Sequence, residues 1–431
     1  MPSTSTSAPA PNSFPGFNGI RFLGALSVLF SHSFLIAGGP ACMDPIAKWL
    51  GHQNTPGEYA VSNFFILSGF LLMRSVRKDP TPLRFLANRL LRLVPAFWAS
   101  LAVTLFLIAP CLSTVGLWEW FSSPALWKSF FDSAMCLGDY TNLPIHASRF
   151  PELEGFINGA LWTLPYEFAC YLFLLFLSVT LKTPARIAAG AFLFGLVALL
   201  GPILLPVTAE LHQAGSANQF QLPLFMHDRT LPFFCAGILL DFLDLKFRVT
   251  KRHAFPALAL FLLSFFFHLE YPAYLLLGPI FLLWIGRNPG PLRRLPIPLG
   301  EISYGVYLFG WPVTLVGASF LPSLSPVQVL LCCLPVLLGL GLFIRGCVEQ
   351  PIQNRLRPLV LRELPKTLPA APAHWAFRLL VAVCLGRFLI YPWPGSDNWF
   401  GFQPVKLAVL ILLLAWIDRK LSRLQAHLEK A

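Results

Sequence analysis

Asn18-Gly19-Ile20-Arg21-Phe22-Leu23-Gly24-Ala25-Leu26-Ser27-Val28-Leu29-Phe30-Ser31-His32-Ser33 opens the first long apolar run of the chain, over residues 18–38. A run of this length matches a hydrocarbon core ~30 Å thick at ~1.5 Å of helix rise per residue. Similar runs recur down the sequence, and the gaps between them are too short to fold alone. Across the 431 residues 56% are hydrophobic and only 12% are charged. A soluble domain carries about twice that charge fraction, so the composition, with a mean hydropathy of +0.65, excludes a separate soluble domain of useful size. The fold class expected is an all-α integral membrane protein. Residues 1–16, rich in Pro, Ser, Thr and Ala, read as a disordered tail. They lack the basic region of a signal peptide, so the first run is expected to be a retained helix.

The predicted spans are 18–38, 58–76, 92–110, 158–180, 187–206, 230–243, 254–269, 271–286, 301–320, 326–344, 375–393 and 402–417. The 32 Lys and Arg residues test this series. All but seven fall in the even connections or at the C-terminus. The exceptions are Lys48, Lys128, Arg149 and Arg229 in odd connections, and Arg21, Arg387 and Lys406 inside spans. That bias places the even connections and both termini in the cytoplasm. The net charge of +12 thus follows from topology, and no Lys/Arg block supports nucleic-acid binding. Six of the nine cysteines (Cys170, Cys235, Cys332, Cys333, Cys347 and Cys384) lie in apolar runs and read as small hydrophobes. No Cys/His spacing supports a metal or redox site. The external segment 111–157 holds Trp118, Trp120 and Trp127 and reads as an interfacial anchor or as a wall of an acceptor cleft.

Ionisable groups at membrane depth cost ~2.5–3.5 kcal/mol each, which makes them functional candidates. Arg21 and His32 are eleven residues apart, about 20° around a helix and about 16 Å along it. They share a face, Arg21 near the cytoplasmic surface and His32 beyond mid-membrane. A neutral histidine there can accept a proton; its structural alternative is a helix–helix hydrogen bond. Glu167, in Asn158-Gly159-Ala160-Leu161-Trp162-Thr163-Leu164-Pro165-Tyr166-Glu167, lies ~14 Å below the outer end of its span. A buried carboxylate needs a partner, and His32 is at compatible depth; an arginine from another helix is the alternative. Arg84, Arg89 and Arg92, ahead of Pro95, gather cations at the start of the third span. Topology accounts for such charge, and guanidinium forks also suit phosphates.

These residues resemble the acyltransferase-3 family of bacterial membrane O-acyltransferases over residues 17–357. The resemblance rests on Arg21 and His32 in the first helix, Asn63-Phe64-Phe65-Ile66-Leu67-Ser68-Gly69-Phe70-Leu71, and Arg89-Leu90-Leu91-Arg92-Leu93-Val94-Pro95. It continues through Asn158 to Glu167, Ile302-Ser303-Tyr304-Gly305-Val306-Tyr307-Leu308 and Glu349-Gln350-Pro351. It implies a ten-helix acyltransferase core, which residues 358–431 extend with a cytoplasmic linker, two further membrane helices and a short tail. It also implies transfer of an acetyl or similar acyl group from acyl-coenzyme A, with acetyl-coenzyme A the implied co-substrate. The acceptor implied is a hydroxyl of a cell-surface glycan or lipid-linked sugar at the bacterial inner membrane. No tightly bound cofactor is implied. Arg89 and Arg92 would hold the nucleotide phosphates and Arg21 would stand at the start of the pantetheine channel. His32 would be the base, and Glu167 would orient it. The competing class is a multi-spanning transporter whose path Arg21, His32 and Glu167 would line; the chain has no internal repeat of the kind such folds use.

Overall fold

The computed structural model describes residues 14–51, 54–134, 143–145, 157–204, 230–294 and 297–364, with the backbone alone at 201–204, 293–294 and 297–298. The predicted spans 375–393 and 402–417 lie outside the described residues. Within them the chain is helical, and the one β-bridge, Ser113 with Ile145, is isolated.

The helices are α1 (Phe17–Gly38), α2 (Pro45–Trp49), α3 (Pro56–Lys78), α4 (Pro82–Val103), α5 (Leu117–Ser122), α6 (Pro124–Ala134), α7 (Thr163–Leu181) and α8 (Pro184–Leu204). There follow α9 (Leu231–Lys246), α10 (Lys251–Ser264), α11 (Glu270–Arg287), α12 (Ile297–Glu301), α13 (Ser303–Phe320), α14 (Pro326–Ile344) and α15 (Arg357–Glu363). Each of the first ten predicted spans overlaps one of these helices. By length and composition Phe17–Gly38, Pro56–Lys78, Pro82–Leu112, Gly159–Leu181 and Pro326–Glu363 can each cross a membrane. Large apolar side chains such as Leu107, Phe266 and Leu276 are exposed, as expected where lipid rather than water is the solvent.

Two predicted boundaries move. The third helix starts at Pro82, not near residue 92, so Arg84, Arg89 and Arg92 lie within α4. Proline suits the first helical turn, where an N–H has no partner to lose, and Leu and Arg are good helix formers. The tail expected over 1–16 is already packed at Phe14, which stacks on Phe17 at 4.8 Å between centroids. Next to it the Gly16 amide donates to the Gly286 carbonyl at 2.9 Å.

Two properties of the sequence set the packing. Small residues let backbones meet in lipid: a Cβ on Gly69 would overlap the Phe234 carbonyl, and one on Gly237 would overlap that of Ile66. This reciprocal contact seats α9 on α3 and explains glycine in the Leu-Ser-Gly stretch. Prolines, conversely, free carbonyls one turn back. In α13 Pro312 cannot donate to Leu308, and the Asn158 amide does so from the start of the α7 segment, at 3.0 Å. In α4 Pro95 cannot donate to Leu91, and the Gln353 amide does so at 3.3 Å. Thr104–Ile108 is π-helical, so the residue due to serve Leu105 is Pro110; the Trp120 indole N–H takes that place at 3.3 Å. Trp120 is therefore buried while Trp118 in the same short helix is exposed, and the aromatic helix that follows α4 both plugs and flanks the bundle.

Candidate active site

α1, α3, α4, α7 and α13 enclose a cavity of about 540 Å³. The sixth wall is the stretch after α14, where π-helical turns at Arg345–Glu349 and Ile352–Leu356 flank Pro351. Widened turns re-aim side chains and recur at functional sites; here they present Arg345, Glu349, Gln353 and Asn354 to the cavity. Four of the five sequence-predicted site residues, Arg21, Arg89, Arg92 and Glu167, line it together. Phe64, Phe65, Leu72 and Leu164 supply apolar walls.

The charges are unevenly paired. Arg345 forms an ion pair with Glu301 at the wall. Glu167 accepts a hydrogen bond from the Tyr171 hydroxyl, one turn along α7. Arg21, Arg89 and Arg92 act on Glu167 through space, yet among the described residues none of the three forms a direct ion pair with it. The buried Nε of Arg89 has no hydrogen-bond partner among the described residues. Three guanidiniums thus face open volume with donors to spare. Beside Arg89 and Arg92, α4 is anchored from behind: Arg357 donates to the Asn88 side-chain oxygen at 2.6 Å and to the Gln353 side-chain oxygen at 3.5 Å, while the Gln353 amide donates to the Leu91 carbonyl.

His32 does not line this cavity. Its ring packs edge-on against Trp311 at 4.9 Å between centroids, and its buried Nδ1 meets no hydrogen-bond partner among the described residues. At the wall of the cavity lies a hydroxyl layer, formed by Tyr307 and Thr163. The Tyr307 hydroxyl donates to the Ala160 carbonyl at 2.6 Å and receives the Thr163 hydroxyl at 2.7 Å. Tyr307 and Thr163 both line the cavity, and Trp311 is one helical turn beyond Tyr307. The expected pairing of His32 with Glu167 is therefore absent. Matching depths fixed one coordinate, but the rotation of each helix decides which side chains meet, and it turns Glu167 toward the arginines and Tyr171.

Sequence reasoning missed Tyr171, Tyr307, Thr163, Gln353 and Arg345. Tyr171 stands four residues after Glu167, a spacing at which helix side chains meet, so it was findable. Pro95 announced a carbonyl in need of a donor but gave no hint that residue 353 would supply it.

The sequence is similar to those of several known proteins. A family model described as an acyltransferase domain matches residues 14–345. The chain is 29% identical over 339 residues to an O-acetyl transferase of Shigella phage Sf6, covering 73% of this chain and 91% of that protein. It is 30% identical over 181 residues to the acyltransferase MdmB of Streptomyces mycarofaciens, 40% of this chain and 41% of the relative. A shorter match, 40% over 58 residues, is to the exopolysaccharide production protein ExoZ of Rhizobium meliloti strain 1021, 13% of this chain and 18% of that protein. No solved structure matches the chain at a significant level.

Proposed function

The chain belongs to the acyltransferase-3 family and is a membrane O-acyltransferase; we propose that its donor is an acyl-coenzyme A and its acceptor a hydroxyl of a cell-surface glycan or glycolipid. The carrying observation is the set of Arg21, Arg89 and Arg92 around one cavity, with no carboxylate among the described residues bonded to any of them. Guanidinium groups match phosphate oxygens in shape and charge, and the nucleotide end of the donor carries phosphates. Residues Phe64, Phe65 and Leu164 offer the pantetheine arm an apolar path toward the Tyr307–Thr163 layer. The O-acetyl transferase name of the phage relative supports an acetyl or similarly short group, and the name of ExoZ supports a polysaccharide setting. Family membership replaces the transporter reading.

In this mechanism the acceptor oxygen attacks the thioester carbon, the carbon–sulfur bond breaks, and the acyl group ends on the acceptor. His32 takes the hydroxyl proton and returns it to the departing thiolate. His32 does not line the donor cavity, so in this reading the thioester end of the donor extends beyond that cavity to meet the acceptor beside His32. Arg89 and Arg92 bind and place the donor, Arg21 continues the cationic track inward, and Glu167, set by Tyr171, balances the three cations. A positioned base contributes ~10²–10⁴-fold.

The test is mass spectrometry of surface glycans from cells with the wild-type protein or His32→Ala. Loss of an O-acyl ester in the variant, at equal protein abundance, is the expected result. Full ester incorporation by His32→Ala removes the base from the mechanism.

A further inference from the structure

A second charged pocket, of about 380 Å³, shares no lining residue with the first. It lies where the C-terminal ends of α3, α9 and α11 converge. Two carboxylates form its frame. Arg77 grips both oxygens of the buried Asp241 at 2.8 and 2.7 Å, and Arg287 grips both oxygens of Asp244 at 2.6 and 2.5 Å. Those pairs account for both acids. Arg74, Lys78 and Arg248 remain in excess.

Positive charge at helix ends is ordinary in membrane proteins, but it usually sits on free, solvated side chains. Here the Arg74, Arg77 and Arg287 side chains are only 14%, 21% and 11% exposed. Arg74 comes no closer than 3.9 Å to Asp241, and its guanidinium lies over the Phe14 and Phe70 rings at 5.0 and 5.5 Å. Of the excess cations Arg74 is held out of water, while Lys78 and Arg248 are exposed at the pocket, and the three together attract an external anion. The pocket also adjoins Leu243, Leu245 and Phe247, all exposed apolar side chains at the same end of α9. An anion bound beside such residues has its own apolar part to cover them. We propose that this pocket binds the phosphate headgroup of an anionic phospholipid, its acyl chains lying along the exposed end of α9.

The test is native mass spectrometry of the full chain, purified and reconstituted in phosphatidylcholine nanodiscs doped with phosphatidylglycerol. Wild type should retain phosphatidylglycerol in preference to phosphatidylcholine. Removing one surface cation weakens attraction to anionic lipid about fivefold, so Lys78→Gln with Arg248→Gln should reduce retention by more than tenfold. Both side chains are exposed, and an unchanged unfolding temperature verifies the fold. Arg186→Gln, at an exposed position outside the pocket, should retain lipid as wild type does. Equal retention by the double variant, an equal loss in Arg186→Gln, or no preference over phosphatidylcholine would overturn the proposal. So would displacement of the lipid by millimolar inorganic phosphate, which would assign the pocket to a soluble anion instead.

Discussion

A carboxylate enclosed by helices, with three guanidiniums in range and none bonded to it, depends on its remaining donor. For Glu167 that donor is the Tyr171 hydroxyl. Hydrogen bonds to charged groups contribute ~1.5–3 kcal/mol, so Tyr171→Phe should free Glu167 to swing onto an arginine and draw that cation away from the donor's phosphates. A ten- to hundredfold fall in transfer rate at subsaturating donor is expected from that magnitude, read as initial velocity on purified protein. An unchanged rate would mean that Tyr171 only fills space. At this scale the sequence was partly legible. Arg21, Arg89, Arg92 and Glu167 stand out as charges in apolar runs, and they share a cavity. His32 stands out for the same reason, yet its neighbour Trp311 comes from a helix almost three hundred residues away, and no periodicity in α1 specifies that contact.

Helix breakers in this bundle come with side chains that repair the break. Pro95 with Gln353, Pro110 with Trp120 and Pro312 with Asn158 are three cases, and in lipid an unrepaired carbonyl has no water to turn to. The logic predicts a specific non-additivity. Gln353→Ala should destabilise the protein, by ~0.6–2 kcal/mol on the scale of interhelical hydrogen bonds in membranes. Adding Pro95→Ala gives residue 95 an N–H for Leu91 and should recover most of that loss. Thermal unfolding in detergent of the four members of the cycle measures it; strictly additive effects would contradict the repair. The prolines were visible from the start, whereas their partners were not, because a freed carbonyl states a need without saying which helix meets it. The start of α4 differs from the expected one for a related reason: charged residues at a membrane surface suggest a connection, whereas Pro82 begins the helix there.

Over the whole molecule, apolar periodicity and the bias of Lys and Arg carried most of the architecture. Ten predicted spans overlap helices, because run length and flanking charge answer directly to bilayer thickness and insertion. What they leave open is how the helices rotate and pack, and hence where a cavity forms. Sidedness is open to direct test. The charge bias puts Cys111, after α4, on the outer side and Lys182, after α7, in the cytoplasm; both are exposed. A membrane-impermeant maleimide should label Cys111 in intact cells, and should label Lys182→Cys, in a background without other cysteines, only after lysis. The reverse pattern would invert the bundle and turn the cavity's arginines away from a cytosolic donor. That donor site is the claim on which the rest depends, and calorimetric titration of purified protein with acetyl-coenzyme A tests it most directly. Wild type should bind, and Arg89→Gln with Arg92→Gln should weaken binding at least tenfold, from ~1.5 kcal/mol or more per lost charged contact. Equal affinity in wild type and the double variant would contradict the assignment of the cavity to the donor.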